Sequence, residues 1–321
     1  MKIILAKPRG FCAGVNMAVS ALEKAVERFG VPFYVYHEIV HNTTVVENFR
    51  RQGVVFVDSL EEVPLGNPVM FSAHGVSPEV RLQAKKRNLN VIDATCPLVR
   101  KVHEEVKNFA KEDYQIVLIG HPGHDEVVAV MSEEPQRIRL VAKPDDVALL
   151  PFSESDRLAF VMQTTLSMTE AEKIVTRLRE RFPQIVGPTK NDICYATQNR
   201  QGTVRTLAKE ADMLLVLGSP NSSNSRRLAE IGESLGVKSY LIDGPQEIQL
   251  DAFRGDETVL ITSGASAPES VVQGTVELLK NHFSATVEER VLHEETLLFA
   301  LPRELRRNWR KRAVPSSAVS P

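Results

Sequence analysis

Cysteine is scarce in this chain, three residues in 321. So low and odd a count excludes a disulfide framework and suits a reducing cytoplasm, with the thiols either free or bound to metal. Long apolar runs are also missing. Nothing approaches the roughly 18 residues a membrane span needs, so no membrane partner is expected. An excess of one charge is lacking as well. A net charge of −2 gives no global attraction for nucleic acid or an anionic bilayer. Met1-Lys2 precedes only a brief apolar run broken by Pro8-Arg9-Gly10, so no signal peptide is expected. What is present is ordinary for a globular, cytoplasmic protein of two or three domains, with 43% hydrophobic and 25% charged residues.

The three cysteines are not scattered. Val91-Ile92-Asp93-Ala94-Thr95-Cys96-Pro97 is an apolar, strand-like segment that ends on a thiol and passes into a helical pattern. The same construction recurs at Ile3-Ile4-Leu5 leading to Cys12, and at Ile185-Val186 leading to Cys194. After each cysteine, apolar residues fall at one-face helical spacing, for example Val15, Ala18, Leu22 and Ala25, and then an extended run follows. Cys12 to His41 spans 29 residues, Cys96 to His124 spans 28, and Cys194 to Ser222 spans 28. Repetition at this period predicts an α/β fold of three pseudo-threefold-related βα units, each with a mostly parallel sheet, around a central cluster. The expected boundaries are residues 1–96 for the first unit, which includes the N-terminal strand, 97–193 for the second and 194–283 for the third. A C-terminal extension covers 284–321. Its stretch from Arg303 to Arg312 is basic and Ala313 to Pro321 has a disordered composition, which reads as a solvated tail.

Polar residues recur where open α/β sheets bind ligands, at the carboxyl ends of strands. Three thiolates from three loops can hold an iron–sulfur cluster while leaving one iron without a protein ligand, an open position for substrate. Two other readings of the cysteines stay open. They can be buried small hydrophobes, or ligands of a structural zinc, although such sites close with four ligands and no histidine here has CxxC-like spacing. A second ring of loops carries His41, His74, His124, Ser222, Ser223, Asn224 and Ser266, a set suited to an anion. Lysine and arginine are absent from these positions, so imidazoles and backbone N–H groups would have to meet a phosphate's charge. A histidine near its ordinary pKa of ~6.5 would carry a proton beside it. Glu126, two residues after His124, is a candidate proton donor if a closed site raises its pKa. Thr164 in Gln163-Thr164-Thr165 is placed to orient a hydroxyl.

Seven segments also carry a resemblance. Ala6-Lys7-Pro8-Arg9-Gly10-Phe11-Cys12-Ala13-Gly14, Ser72-Ala73-His74-Gly75-Val76, Asp93-Ala94-Thr95-Cys96-Pro97 and Gln163-Thr164-Thr165-Leu166-Ser167 are four of them. Asp192-Ile193-Cys194-Tyr195-Ala196-Thr197, Asn221-Ser222-Ser223-Asn224-Ser225 and Gly264-Ala265-Ser266-Ala267-Pro268 complete the set. In this order they resemble the 4-hydroxy-3-methylbut-2-enyl diphosphate reductases, the IspH/LytB family. The resemblance implies reductive dehydroxylation of an allylic diphosphate to isopentenyl and dimethylallyl diphosphates, the last step of the non-mevalonate isoprenoid pathway. It implies a [4Fe-4S] cluster on Cys12, Cys96 and Cys194, and a flavodoxin or ferredoxin as electron donor. The diphosphate would lie among His41, His74, His124, Ser222, Ser223, Asn224 and Ser266. Glu126 would deliver protons and Thr164 would contact the hydroxyl.

In one loop the chain departs from that pattern. Relatives commonly place proline between the histidine and the glutamate, whereas this chain reads His124-Asp125-Glu126. The competing functions are a non-redox iron–sulfur dehydratase or synthase on a similar scaffold, and a non-catalytic phosphate-ligand sensor with structural cysteines. A demand for reductant in each turnover separates the first from a reductase, and bound iron separates the second.

Overall fold

The computed structural model describes residues 1–306. The chain runs β1 (Lys2–Lys7), α1 (Ala13–Phe29), β2 (Phe33–Tyr36), α2 (Thr43–Arg51), β3 (Val54–Val57), β4 (Pro68–Phe71), α3 (Pro78–Lys86) and β5 (Asn90–Asp93). It continues through α4 (Pro97–Lys111), β6 (Gln115–Ile119), α5 (Asp125–Met131), β7 (Ile138–Val141), β8 (Leu158–Met162) and α6 (Met168–Arg181). The last run is α7 (Tyr195–Leu207), β9 (Met213–Leu217), α8 (Ser223–Ser234), β10 (Lys238–Ile242), β11 (Thr258–Ser263), α9 (Glu269–Phe283) and β12 (Thr286–Val291).

These strands form three sheets, ordered β3-β2-β4-β5, β7-β6-β8 and β10-β9-β11-β1-β12. Every pairing in them is parallel. The strands read as continuous apolar runs because helices cover both faces. In the third sheet Ile3, Leu5, Leu215 and Leu217 pack with Val272, Val276 and Leu279 of α9. The intervening Ile4, Ala6, Leu214 and Val216 pack on the other face with Leu207 of α7 and Leu228 of α8. The alternation is the period-2 geometry of a strand buried on both sides.

Two details of the sequence reading change. The N-terminal strand, grouped above with the first unit, lies between β11 and β12 and so belongs to the third sheet. Each cysteine follows a strand or strand-like segment of a different sheet: Cys96 after β5 at the edge of the first, Cys12 after β1 inside the third, and Cys194 after the edge of the second. At that edge Ile185-Val186 forms no strand of its own, only a parallel bridge between Val186 and Ala159. β12 was not anticipated and comes from the stretch read as an extension. Its burial pattern is mostly exposed, with Glu288, Glu289 and Arg290 in the run, so no apolar signal announced it. The basic and disordered-composition tail beyond residue 306 lies outside the described residues. Among the described residues no helix is long and apolar enough to cross a membrane.

One buried cation ties the sheets' contributions together. Arg200 on α7 is fully buried. Its Nη1 donates to Glu295 Oε1 at 3.0 Å and to the Ala196 carbonyl at 3.0 Å, and its Nη2 donates to the Gly10 carbonyl at 2.9 Å. The guanidinium thus holds the Cys12 loop, the Cys194 helix and the segment after β12 to one point. Glu295→Ala leaves a buried charge without its counter-ion, which typically costs about 3 kcal/mol or more. We expect a lower denaturant midpoint with an unchanged slope in equilibrium unfolding.

Candidate active site

The site sits at the carboxyl ends of all three sheets, and the same backbone pattern builds each third of it. The first connecting loop of each sheet delivers a polar residue five positions past the strand end: His41 after β2, His124 after β6 and Ser222 after β9. The loops after β4, β8 and β11 deliver His74, Thr164 and Ser266. The cysteines are then hung from these second loops by equivalent hydrogen bonds. Cys96 N–H donates to the Ala73 carbonyl (2.9 Å), Cys194 N–H to Thr164 (3.0 Å) and Cys12 N–H to Ala265 (3.1 Å). A β-ladder thus continues past each strand end just far enough to register a thiol beside a polar side chain.

All twelve residues singled out from the sequence line one cleft of roughly 780 Å³, open solvent at its mouth included. They are Cys12, Cys96, Cys194, His41, His74, His124, Glu126, Thr164, Ser222, Ser223, Asn224 and Ser266. No lysine or arginine lines the cleft among the described residues.

The three thiols sit at the N-caps of α1, α4 and α7. A helix N-terminus ordinarily lowers a thiol's pKa. Burial wins here, pushing Cys96 up to about 12 and Cys194 up to about 11, with the neighbouring Cys12 adding to both. Three thiolates in this position would repel one another without a cation between them. Cys194 Sγ receives the Thr197 N–H at 3.4 Å and lies 3.2 Å from the Thr197 hydroxyl, contacts that favour the thiolate. A Cβ on Gly14 would stand 2.6 Å from Cys96 Sγ and 3.9 Å from Cys12 Sγ, so the glycine keeps the space beside both sulfurs clear. Soft donors converging from three directions, beside space kept clear for a guest, fit a metal–sulfur centre.

The opposite end of the cleft is built for an anion. His41 and His74 stack with centroids 3.9 Å apart and 14° between planes, and His124 meets His41 edge-on at 5.4 Å. His124 caps α5, its Nδ1 accepting the Glu126 N–H at 3.2 Å. That bond leaves the ring proton on Nε2. Burial and the neighbouring His41 push His124 down to about 4, and burial also holds His74 well below its ordinary value. The expectation of near-normal histidines therefore fails for these two, which are neutral until an anion arrives. Ser222 Oγ accepts both the N–H and the hydroxyl of Ser225, at 3.3 and 3.0 Å, so its own proton is free for a ligand. Ser266 spends its proton on the His41 carbonyl at 2.9 Å. His74 Nδ1, Ser223 Oγ and both amide atoms of Asn224 are buried with no protein partner. Each such group costs about 1–3 kcal/mol when unsatisfied, so their clustering on one wall marks where a polar ligand is accepted.

Between the two ends lies Glu126, 2% exposed. The Thr164 N–H donates to its Oε1 at 2.7 Å and the Thr164 hydroxyl to its Oε2 at 2.8 Å. Burial pushes its pKa up to about 7 against these bonds. The unusual Asp125 therefore does not displace the residues on either side of it. Sequence reasoning missed Tyr195, Thr165 and Phe299 in the lining. Tyr195 was within reach, since it adjoins Cys194 and its hydroxyl accepts the Ala13 N–H at 3.3 Å. Phe299 carried no signal, because it sits in an irregular segment outside the repeat.

A family model described as LytB protein matches residues 3–280 of this chain. The chain belongs to the LytB family. A 4-hydroxy-3-methylbut-2-enyl diphosphate reductase of Rhodopirellula baltica is 56% identical over 306 residues, covering 95% of this chain and 96% of that one. One from Haemophilus influenzae is 52% identical over 309 residues, covering 95% and 98%. The structure of the E-1-hydroxy-2-methyl-but-2-enyl-4-diphosphate reductase from Plasmodium falciparum superposes with a TM-score of 0.92 at 38% identity, covering 95% of this LytB-family chain and 96% of its own.

Glu126 also gives stability a definite pH dependence. The native carboxyl keeps its proton to about 7, whereas an unfolded glutamate releases it near ~4.3. Between these values the native state binds more protons, so stability falls as pH rises, by on the order of 3 kcal/mol in all. Glu126→Gln cannot ionise. We expect its melting temperature to gain on wild type progressively from pH 5 to pH 8.

Proposed function

We propose that this protein is a 4-hydroxy-3-methylbut-2-enyl diphosphate reductase. The reaction removes the allylic hydroxyl as water: two electrons and two protons enter, the C–O bond breaks, and a carbon of the allyl unit gains hydrogen. The products are isopentenyl and dimethylallyl diphosphates. The observation that carries this reading is the single cleft with three thiols at one end, four unpartnered polar atoms at the other, and a buried carboxyl between them.

Cys12, Cys96 and Cys194 would hold the [4Fe-4S] cluster. When bound, that group would supply an iron without a protein ligand to take the hydroxyl, and a route for electrons arriving one at a time. A flavodoxin or ferredoxin is the donor suited to single-electron delivery.

The remaining work falls to the chain itself. Ser222, Ser223 and Asn224 at the start of α8 meet the diphosphate with hydroxyl, amide and backbone donors. His41, His74 and His124 close on it from the other two sheets, each becoming a better proton carrier as the anion's charge approaches. Anchoring the diphosphate at one end leaves the short allyl chain against Val15, Val40 and Phe299, which exclude water from the reacting carbons. Thr164 orients the substrate hydroxyl. Glu126, whose carboxyl burial pushes up to about 7, passes its proton toward that oxygen through the contact it shares with the Thr164 hydroxyl.

Two substitutions test this reading. Glu126→Gln keeps the donor geometry without the proton, so it should retain iron and sulfide and lose turnover by about 10²–10⁴-fold. Full activity would remove Glu126 from the mechanism. Gly14→Ala should lower iron and sulfide content after anaerobic purification while the fold persists by circular dichroism. A full complement of iron would show that the space beside Cys96 is not the cluster's.

A further inference from the structure

An anion pocket without lysine or arginine poses a problem of charge. The imidazoles that line it are desolvated and face one another, and both effects favour their neutral forms. Burial, His41, His124 and His37 all oppose a proton on His74, and burial, His41, His121 and Arg226 oppose one on His124. Two carboxylates stand against this. Glu38, on the loop after β2, lies 3.5 Å from His41 Nδ1 and acts on His41 and His37. Asp125, the first residue of α5, reaches further. Its Oδ2 lies 3.8 Å from His41 Nε2 and 3.9 Å from His74 Nδ1, and its Oδ1 lies 3.4 Å from His37 Nδ1. Asp58, after β3, adds a more distant negative charge beside His37. Asp125 does not line the cleft, whereas His41 and His74 do.

We propose that Asp125 is a positioning residue for the diphosphate, a carboxylate standing behind the stacked imidazoles of His41 and His74 whose negative charge offsets part of the cost of bringing a proton into that stack when the anion binds in front. Its Oδ2 lies beyond hydrogen-bond distance of both rings and acts on them by charge alone. His37 completes the arrangement from the far side. It adopts a left-handed backbone, φ 58°, a conformation uncommon for a residue other than glycine. Asp125 in turn draws His74 and His124 upward, and the histidines hold its own carboxyl far below the usual range. His74 and His124 stay on the neutral side until the anion arrives, so the carboxylate acts on the protonation that accompanies binding.

The inference rests on the diphosphate reading of this end of the cleft, and the test separates the two. Inorganic diphosphate is titrated into anaerobically purified full-length protein by calorimetry from pH 6 to 8.5. Buffers of differing ionisation heat give the protons taken up on binding. Wild type is compared with Asp125→Asn, Asp125→Pro and Asp125→Glu. Proline suits the first position of a helix, and His124 already has the extended backbone (φ −72°, ψ 135°) that precedes it comfortably. At pH 8 the Asn and Pro variants should bind about tenfold more weakly, with the gap closing toward pH 6. At pH 8 they should take up fewer protons per diphosphate than wild type, and the Glu variant should recover part of the affinity. Equal or tighter binding by Asp125→Asn at pH 8, or weaker binding with undiminished proton uptake, overturns the role of Asp125. Failure of wild type to bind diphosphate at all overturns the anion-site reading as well.

Discussion

Three sulfurs share one buried space, and the rest of the architecture follows from what that requires. Cys96 and Cys194 are pushed away from ionising by burial and by the neighbouring Cys12, so three thiolates here would be stable only around a cation. Bringing three such groups to one point from one chain also requires three ways of reaching it. The fold supplies these by repeating a parallel sheet three times and tying each cysteine to the loop beside it by an equivalent backbone bond. The polar ring arises from the same repetition. A histidine or serine five residues past β2, β6 and β9 lines the same cleft as the sulfurs.

Much of this was legible in the amino-acid order because the repeat was. The spacing from Cys96 to His124 matches that from Cys194 to Ser222 because each spans the same helix, strand and loop. The parallel strands stood out as apolar runs such as Met213–Leu217, buried throughout. What stayed hidden was long-range pairing. Nothing in Lys2–Lys7 indicates that its neighbours lie some 250 residues away at β11 and β12, because strand partners are chosen by tertiary fit rather than by local pattern. Ile185-Val186 has the composition of a strand, yet it settles for one bridge beside β8. The site was readable as a set of residues but not as a set of charges. That His74 and His124 are neutral in the empty cleft, and that Glu126 keeps its proton to about 7, depends on burial that no motif records.

The two ends of the cleft solve opposite electrostatic problems with the same means. At the sulfur end the protein gathers groups that must become negative and leaves room for a positive guest. At the histidine end it gathers groups that must become positive and leaves polar atoms such as those of Asn224 unpartnered for a negative one. Neither end is comfortable when empty, and both become so when filled. Glu126 lies in the same cleft, its carboxyl pushed up to about 7 by burial against the bonds it accepts from Thr164.

The position of β1 has a consequence for the order of events in the cell. Lys2 pairs with Thr258 of β11 and Thr286 of β12, so the strand that positions Cys12 stays unpaired until those late segments have been made. Cys96 and Cys194 can be seated as their own sheets close, but the third sulfur finds its place only when the third sheet closes. The buried Arg200, which joins the Gly10 carbonyl to Glu295, can fasten that loop no earlier. Seating the three sulfurs is thereby coupled to closure of the third sheet: until β11 and β12 are in place, the chain offers at most two of the three in register.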